Sequence, residues 1–360
     1  MEKYSNWRDA GTGIQPFLPP APIKVDLRFG ALVLALIQSY ILGPFLALVR
    51  SLLLLPVALL ALLLIGLKQL LVVKFFQRAF HTTIVGPLVR LILLLLGFHF
   101  IHHEIVSLKK GRRDANTTAS GKRTAPVTSP QAGDLLVTNH ASYIDIFYLY
   151  AHYDPVFVQM DATVTDPRRF RRISVGQALQ TCGECPMGFA RGQKQGTKED
   201  EGTLQTLPML TRNARAHREG PVVVFLEGTT SNGRALLKPL EVFRNQEDVD
   251  PESRLFPLLF KYNVNYPSPV FPTGNQYLHA LRTCSKFDNV LQVKELSQGE
   301  VPSLSELHLP SANAKTYRPQ EDADFNGQLA QILANMGRLR TTKQGIMEKK
   351  TFLEFYHRQK

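Results

Sequence analysis

Cysteine is scarce in this chain, which contains only three in 360 residues: Cys182, Cys185 and Cys284. Secreted proteins that depend on disulfides carry more cysteines, usually in an even number, so we expect a reduced domain that faces the cytosol. Cys182 and Cys185 have the C-x-x-C spacing of redox and zinc sites. No second pair and no suitably spaced histidine accompany them, so we interpret them as part of a packed turn.

Acidic residues are fewer than basic ones, 30 against 42, and the formal net charge is +12. Such a balance suits nucleic acid, an anionic membrane or a phosphorylated small substrate. The sequence lacks zinc-finger spacing and lacks a basic helix interleaved with aromatic residues, so we expect no nucleic-acid partner. Much of the excess charge lies next to apolar stretches, which favours the anionic leaflet of a membrane.

Two long apolar runs lie near the start of the chain, at 29–49 and 51–67, and only Arg50 separates them. As helices they reach roughly 32 and 26 Å, against a hydrocarbon core of about 30 Å. They begin too late and run too long for a signal peptide. The basic residues that flank the pair are Lys24 and Arg28 before it and Lys68, Lys74 and Arg78 after it. Positive charge on both outer flanks predicts a membrane hairpin with both ends in the cytosol and Arg50 at its tip. The sequence leaves open whether the hairpin turns back inside the bilayer or both arms cross it.

Composition divides the chain into four parts. These are a Pro-rich cytosolic arm (1–28), the membrane hairpin and its basic flank (29–83), the main domain (84–310) with a flexible polar insert (109–131), and a helical, basic extension (311–360). The apolar stretch 84–98 is predicted to lie along the membrane or to pack on the domain. Residues 324–339 are predicted to form a surface helix, and 343–360 to be peripheral.

The main domain alternates short apolar runs with segments of helical length, a pattern typical of an α/β fold. The predicted buried strands are 135–138, 156–160, 222–226 and 255–260, and 202–218 is a predicted helix. A further strand at 100–108 would place His102 and His103 on opposite faces, which disfavours a metal site with His99. We expect a mixed sheet flanked by helices, preceded by the hydrophobic helical hairpin.

His140 and Asp145 follow directly after the predicted strand 135–138. Five residues along a regular helix separate two side chains by about 140°, so the pair can meet only where the strand turns into a helix. There Asp145 would hold one imidazole nitrogen and leave the other free as a base, which acyl transfer from a thioester to an alcohol requires. No enzyme nucleophile is needed, and no G-x-S-x-G occurs. The alternative is a capping pair at a helix start.

A turn rich in glycine and hydroxyl groups, 227–234, follows the strand 222–226, and its backbone amides suit a phosphate. Alone it is equally consistent with a plain turn. Together, the two segments resemble the glycerolipid acyltransferase family, the PlsC-like lysophosphatidate and lysophospholipid acyltransferases. The family's N-H-x4-D motif matches Asn139, His140 and Asp145, and its F-P-E-G-T motif matches Phe225, Glu227, Gly228 and Thr229, with Leu226 in place of proline. The similarity covers roughly residues 84–295 and, with the apolar hairpin, is strongest to the fungal lysophosphatidate acyltransferases.

The resemblance implies a glycerolipid acyltransferase fold, with His140 and Asp145 as catalytic residues. It assigns substrate binding to Asn139, Arg191, Glu227, Gly228, Thr229 and Thr230, where Arg191 would bind the acceptor phosphate. Thr230 replaces the arginine that many members carry after E-G-T. No metal and no cofactor are implied, since acyl-CoA is a co-substrate. The basic run 168–172 would meet CoA phosphates or anionic headgroups, or form a solvated helix face.

The expected function is acyl-CoA-dependent esterification of lysophosphatidic acid to phosphatidic acid, in phospholipid and triacylglycerol synthesis. The alternatives are a lysophospholipid acyltransferase or transacylase for another headgroup, and a non-catalytic lipid-droplet hairpin protein. The expected partners are acyl-CoA, a lysophospholipid and a membrane, while the sequence indicates no protein partner. The expected location is the endoplasmic reticulum membrane and the lipid droplet, with the catalytic domain in the cytosol.

Overall fold

The short apolar runs of the main domain pair into one eight-stranded mixed sheet. The computed structural model describes residues 3–20, 36–108, 129–160, 169–185, 204–243, 248, 250–263, 267–302 and 325–359. The strands are β1 (Ile101–Val106), β2 (Leu135–Thr138), β3 (Val156–Met160), β4 (Arg169–Ile173), β5 (Leu204–Thr206), β6 (Val222–Phe225), β7 (Ala235–Leu236), β8 (Leu255–Tyr262), β9 (Leu291–Leu296) and β10 (Arg340–Thr341). The strand order in the large sheet is β1-β9-β8-β2-β6-β3-β4-β5, and β7 and β10 form a separate small sheet. The predicted α/β class and mixed sheet are confirmed.

Helices cover both faces of the sheet. They are α1 (Gly43–Leu70), α2 (Lys74–Phe80), α3 (Gly86–Leu95), α4 (Tyr143–Tyr153), α5 (Val175–Thr181), α6 (Leu207–Ala216), α7 (Gln276–Cys284), α8 (Phe325–Gly337) and α9 (Ile346–Arg358). Alternate residues of a strand point to opposite faces, so Leu136 and Val223 pack with α3 and α4 on one side. Val137 and Val224 pack with α6 and α8 on the other. The sheet is therefore buried on both faces.

The two ends of the chain are packed, not peripheral. Helix α8 confirms the helix predicted at 324–339 but not its surface position, because Leu329 and Leu333 are almost completely buried under the sheet. Phe352 of α9 is fully buried and contacts Phe17 of the N-terminal arm, with ring centroids 5.6 Å apart. The prediction of a peripheral basic end was wrong because its apolar residues, spaced along one face of α9, bury themselves against the arm.

The first apolar helix runs through Arg50 instead of turning there. Helix α1 continues from a π-helical stretch at Gln38–Leu42 and ends at Leu70, so the predicted hairpin tip at Arg50 is wrong. Part of the predicted first arm, 29–35, lies outside the described residues. The positive charge of Arg50 needs no tip in water, because its guanidinium donates to backbone carbonyls of the main domain. The acceptors are the carbonyl oxygens of Cys284, Lys286 and Phe287, at the C-terminal end of α7, 2.6–3.2 Å away.

Helix α1 lies along the main domain and presents an apolar stripe outward. Lys68, about 27 Å from Arg50 along the helix axis, forms an ion pair with Asp154 at the end of α4. The face between them that meets the domain includes Leu54, Val57 and Ala61. The opposite face carries Leu48, Leu52, Leu55, Leu59 and Leu63, each more than half exposed at helical spacing.

Two helical stretches of the described chain are long and apolar enough to cross a membrane, Tyr40–Leu70 and Lys74–Leu95. The second contains most of the segment predicted at 84–98, which packs on the domain through Val89, Ile92 and Leu93 of α3. The two apolar helices near the N-terminus are thus Tyr40–Leu70 and Lys74–Leu95, which differ from the predicted runs 29–49 and 51–67.

Candidate active site

The candidate site lies where β2 and β6 end side by side. The two strands are parallel, with Thr138 opposite Phe225, so the turns that follow them meet at one edge of the sheet. The backbone amide of His140, in the first turn, donates to Oε2 of Glu227 in the second, at 3.0 Å. The carboxyl edge of a largely parallel sheet is where α/β proteins bind their ligands.

Asp145 both caps helix α4 and orients His140. Its Oδ2 lies 3.2 Å from Nδ1 of His140 and accepts the backbone amides of Ala141 and Ser142 at 2.7 and 2.9 Å. Helix α4 begins at Tyr143, so His140 precedes the regular helix, and the predicted meeting at a strand-to-helix turn is confirmed. The capping pair and the oriented base are therefore one arrangement, because the same carboxylate serves both.

His140 also lines a narrow pocket. With Nδ1–H donated to Asp145, Nε2 is left as an acceptor, and it lies 3.5 Å from Sγ of Cys182. The imidazole stacks on Phe225 with ring centroids 4.1 Å apart. The pocket of about 40 Å³ beside it is lined mainly by apolar residues, among them Val158, Met160, Phe170 and Leu240. His140 thus offers a proton acceptor beside a pocket whose apolar lining limits the access of water.

Tyr262 is a site residue that the motifs did not reveal. It ends β8, and its buried hydroxyl donates to Oδ1 of Asp145. Burial, followed by the negative charge of Asp145, raises the pKa of Tyr262 well above its ordinary value, so the phenol stays a donor. Both oxygens of Asp145 are therefore fixed, which holds the imidazole in one orientation. A sequence signal was absent because Tyr262 follows Asp145 by more than a hundred residues.

Cys182 lies in the packed turn expected for the C-x-x-C segment. It is buried just after α5, and both it and Cys185 are free thiols. Burial raises the pKa of Cys182 well above its ordinary value, so it faces His140 as a thiol, not a thiolate. The closeness of Cys182 to the base was not predicted.

Glu227 ties the two turns together. Its Oε1 accepts the backbone amide of Leu237 at 2.7 Å, while Oε2 accepts that of His140. Burial raises the pKa of Glu227 to about 7, against the opposing effect of these two donors. The next residue, Gly228, has φ +66°, and a β-carbon there would lie 2.6 Å from Cδ1 of Leu240. Only glycine fits that position.

The threonines of the second turn bond to the protein itself. Thr229 Oγ1 donates to the carbonyl of Glu184 at 3.0 Å. Thr230 Oγ1 accepts the amide of Gly183 at 3.0 Å and donates to the carbonyl of Pro272 at 3.3 Å. Both side chains are almost completely buried. In this structure their hydroxyls bond to the protein and hold the turn in place, and Thr229 also lines the pocket.

Lys349 of α9 supports the same turn from behind. It is fully buried, and its Nζ donates to the backbone carbonyls of Thr230, at 3.1 Å, and Pro272. Burial lowers the pKa of Lys349 to about 7. The C-terminal helix thus reaches the turn that holds Glu227, a contact that no sequence pattern predicted.

The remaining predicted site residues fall into two groups. Asn139 is buried, and its amide bonds the backbone of Phe260 in both directions, Nδ2 to the carbonyl at 3.0 Å and Oδ1 from the amide at 2.7 Å. It therefore links β2 to β8. Arg191 lies outside the described residues, as does Arg168, so phosphate binding by Arg191 stays a prediction. The rest of the basic run forms strand β4, not a helix face.

Comparison with curated proteins finds two relatives of similar sequence. A Schizosaccharomyces pombe protein, provisionally named a lysophosphatidic acid:oleoyl-CoA acyltransferase, is 24% identical over 358 residues, covering 98% of both chains. The Arabidopsis thaliana lysophospholipid acyltransferase LPEAT1 is 24% identical over 269 residues, 73% of this chain and 60% of that protein. Both relatives are named acyltransferases, and their names support a lysophospholipid acyltransferase family for this chain.

These relatives confirm the resemblance drawn from the two motifs. No family model matches the chain. No solved structure matches it either. The relatives therefore indicate that the enzyme is an acyltransferase. The roles of its site residues remain predictions, which the geometry around His140 supports.

Proposed function

We propose that this acyltransferase moves the acyl chain of acyl-CoA onto the free hydroxyl of lysophosphatidic acid, forming phosphatidic acid. One observation carries the proposal: Nδ1 of His140 is held by Asp145, while Nε2 meets the Cys182 thiol and the residue lines the pocket. A base oriented in this way is what the attack of an alcohol on a thioester requires. The fungal relative's name, which specifies lysophosphatidic acid and oleoyl-CoA, supports the choice of both substrates.

In the proposed reaction, the acceptor hydroxyl replaces the Cys182 thiol as the hydrogen-bond donor to Nε2 of His140. The hydroxyl oxygen attacks the thioester carbonyl as its proton passes to Nε2, and Asp145 stabilises the imidazolium that forms. The tetrahedral intermediate collapses, the carbon–sulfur bond breaks, and the imidazolium returns the proton to the leaving CoA sulfur. The products are the ester and free CoA, and the enzyme is unchanged.

The acceptor's phosphate is the less constrained part of the proposal. Thr229 and Thr230 bond within the protein, so the resemblance leaves Arg191 as the residue for that phosphate. The name of the plant relative specifies only a lysophospholipid. A headgroup other than a phosphate monoester is accordingly the second candidate, and the experiment below separates the two.

We also propose that the enzyme works on the cytosolic surface of the endoplasmic reticulum or a lipid droplet. The outward leucine stripe of α1, from Leu48 to Leu63, suits a lipid surface. The cations of α1 are paired with the domain, so this stripe meets lipid without burying an unpaired charge. The lysolipid acceptor resides in the same surface as the helix.

The proposal is tested with the full-length protein in membranes, supplied with oleoyl-CoA and a panel of lysolipids. We expect lysophosphatidic acid to be acylated faster than lysophosphatidylcholine, lysophosphatidylethanolamine or lysophosphatidylserine. His140→Ala should be inactive, and His102→Ala, which changes an exposed strand residue, should be fully active. Faster acylation of another lysolipid would contradict the acceptor assignment. Transfer from a phospholipid donor without CoA would contradict the donor assignment.

A further inference from the structure

A second pocket, of about 660 Å³, lies between the N-terminal arm, the end of the turn after β6, and the segment that joins α8 to β10. Four arginines line it: Arg8, Arg234, Arg338 and Arg340. All four side chains are exposed. No carboxylate is among the lining residues that the structure describes. Arg234, Arg338 and Arg340 bring like charges together around one pocket, so an anionic ligand would stabilise the arrangement.

The backbone that carries these arginines is held by hydrogen bonds. The amide of Asn232 donates to the carbonyl of Pro16 at 2.8 Å, which joins the turn to the arm. Arg340 pairs with Ala235 in the small sheet of β7 and β10, which joins the turn to the C-terminal segment. Three segments distant in sequence are thus fixed around the pocket, which a chance surface cluster would not require.

The pocket lies on the same edge of the sheet as the base. The amide of Ser231, one residue before Asn232, donates to the carbonyl of His140 at 3.0 Å. On the other side, Nζ of Lys261, near the end of β8, donates to the carbonyl of Gly337, which precedes Arg338. Burial, then the charges of Lys294 and Arg338, lower the pKa of Lys261, as expected where positive charge accumulates.

We propose that this pocket binds the 3′-phospho-ADP portion of acyl-CoA, an inference that rests on the proposed function. Guanidinium groups match phosphate oxygens with paired hydrogen bonds, and the nucleotide carries three phosphates. The arm side of the pocket is apolar, with Leu18 and Pro19 among its residues, which suits the face of an adenine ring. A bare phosphate or a single lipid phosphate would use fewer arginines and no apolar wall. The flexible pantetheine chain would then extend along the turn toward His140.

The test measures equilibrium binding of 3′,5′-ADP to the full-length protein in detergent, where no acyl transfer occurs. We expect Arg338→Gln/Arg340→Gln to weaken binding by about a hundredfold, roughly tenfold for each lost charge-assisted contact. The matched control is Arg169→Gln/Arg172→Gln, which alters the competing basic run on β4 and should bind like the wild type. In turnover, the first variant should raise the KM for oleoyl-CoA and leave the KM for the lysolipid unchanged. Its melting temperature should equal that of the wild type.

Unchanged 3′,5′-ADP binding in a folded Arg338→Gln/Arg340→Gln variant would overturn the proposal. The proposal would also be overturned if this variant lost binding to phosphatidic acid vesicles but still bound 3′,5′-ADP, because the pocket would then recognise a lipid headgroup. Equal binding of adenosine-free pyrophosphate and 3′,5′-ADP would exclude the adenine wall. If the wild type binds 3′,5′-ADP through these arginines but transfers no acyl group, the proposed function fails and the nucleotide site stands.

Discussion

The two turns at the edge of the sheet carry similar polar residues but use them differently. In the turn after β2, His140 lines the pocket, and Asp145 holds its Nδ1 so that Nε2 is left as an acceptor. In the turn after β6, the side chains of Glu227 and Thr230 accept hydrogen bonds from backbone amides of the protein. The first turn is therefore suited to chemistry and the second to holding the first in position. A motif residue beside a site need not touch the substrate.

The largest expected effect comes from His140→Ala. Only the proton acceptor is removed, because the backbone amide that bonds Glu227 is kept. We expect kcat to fall by about 10²-fold to 10⁴-fold, the usual contribution of a positioned base. The KM for acyl-CoA should be nearly unchanged. Steady-state kinetics with oleoyl-CoA and lysophosphatidic acid measure both. A folded, membrane-bound variant that kept a substantial part of the activity would show that the first turn only caps α4.

Asp145→Asn should cost somewhat less, about 10²-fold in kcat. The amide oxygen can still accept the three N–H groups that meet Oδ2, and its NH2 group can face the oxygen of Tyr262. What is lost is the negative charge that stabilises the imidazolium. Because His140 and Asp145 act as one unit, the double variant should be little slower than His140→Ala. Additive losses in the double variant would mean that Asp145 acts independently of the base.

Glu227→Gln is expected to reduce kcat by about tenfold. The amide can accept only one of the two backbone N–H groups and turns a donor toward the other, a loss on the order of 1–2 kcal/mol. The turn after β2 then loses an anchor while the base itself remains. An effect as large as that of His140→Ala, with both KM values unchanged, would assign Glu227 a direct part in the chemistry.

The same substitution should change how stability depends on pH. The pKa of Glu227 is raised from its ordinary 4.5 to about 7, so the folded protein retains the proton that the unfolded chain releases. The contribution of this group is fully present below about pH 4.5 and is lost as the pH rises toward 7, by about 1.4 kcal/mol per pH unit. Glu227→Gln should remove this slope in melting temperatures measured between pH 5 and 7. An unchanged slope would assign it to another group.

The main features that sequence patterns predicted are those encoded by neighbouring residues. Strand β2, the strand-to-helix turn and the pairing of His140 with Asp145 all depend on residues within one short segment. Tyr262 and Lys349 reach the same site from far along the chain, and no local pattern marks a buried polar residue that has a distant partner. Long-range hydrogen bonds of this kind become visible only once the fold brings the segments together.

The hairpin prediction failed for a related reason. A charge between two apolar runs indicates a turn only if the charge needs water, and Arg50 finds backbone carbonyls at the end of α7 instead. The rule that places charges outside apolar helices assumes that no folded partner is available. Helix α1 therefore continues through Arg50 because the domain supplies that partner.

The smallest effect is expected from Thr230→Val, which tests the assignment of the second turn most directly. Thr230 stands where many family members carry an arginine, and the resemblance gave it a place in substrate binding. In the structure its hydroxyl bonds Gly183 and Pro272 and is almost completely buried.

If Thr230 only holds the turn, valine keeps its shape and removes one hydrogen-bonding group, so stability should fall by about 1–2 kcal/mol. The melting temperature should drop by a few degrees, while the KM for lysophosphatidic acid stays within about twofold of the wild type. Thr82→Val, in the π-helical stretch at His81–Val85, provides a matched control in which an exposed hydroxyl bonded only to its own helix is lost. A rise in the KM for lysophosphatidic acid alone, without a lower melting temperature, would mean that the threonine contacts the acceptor. The two turns would then share the substrate, and the division of roles between them would not hold.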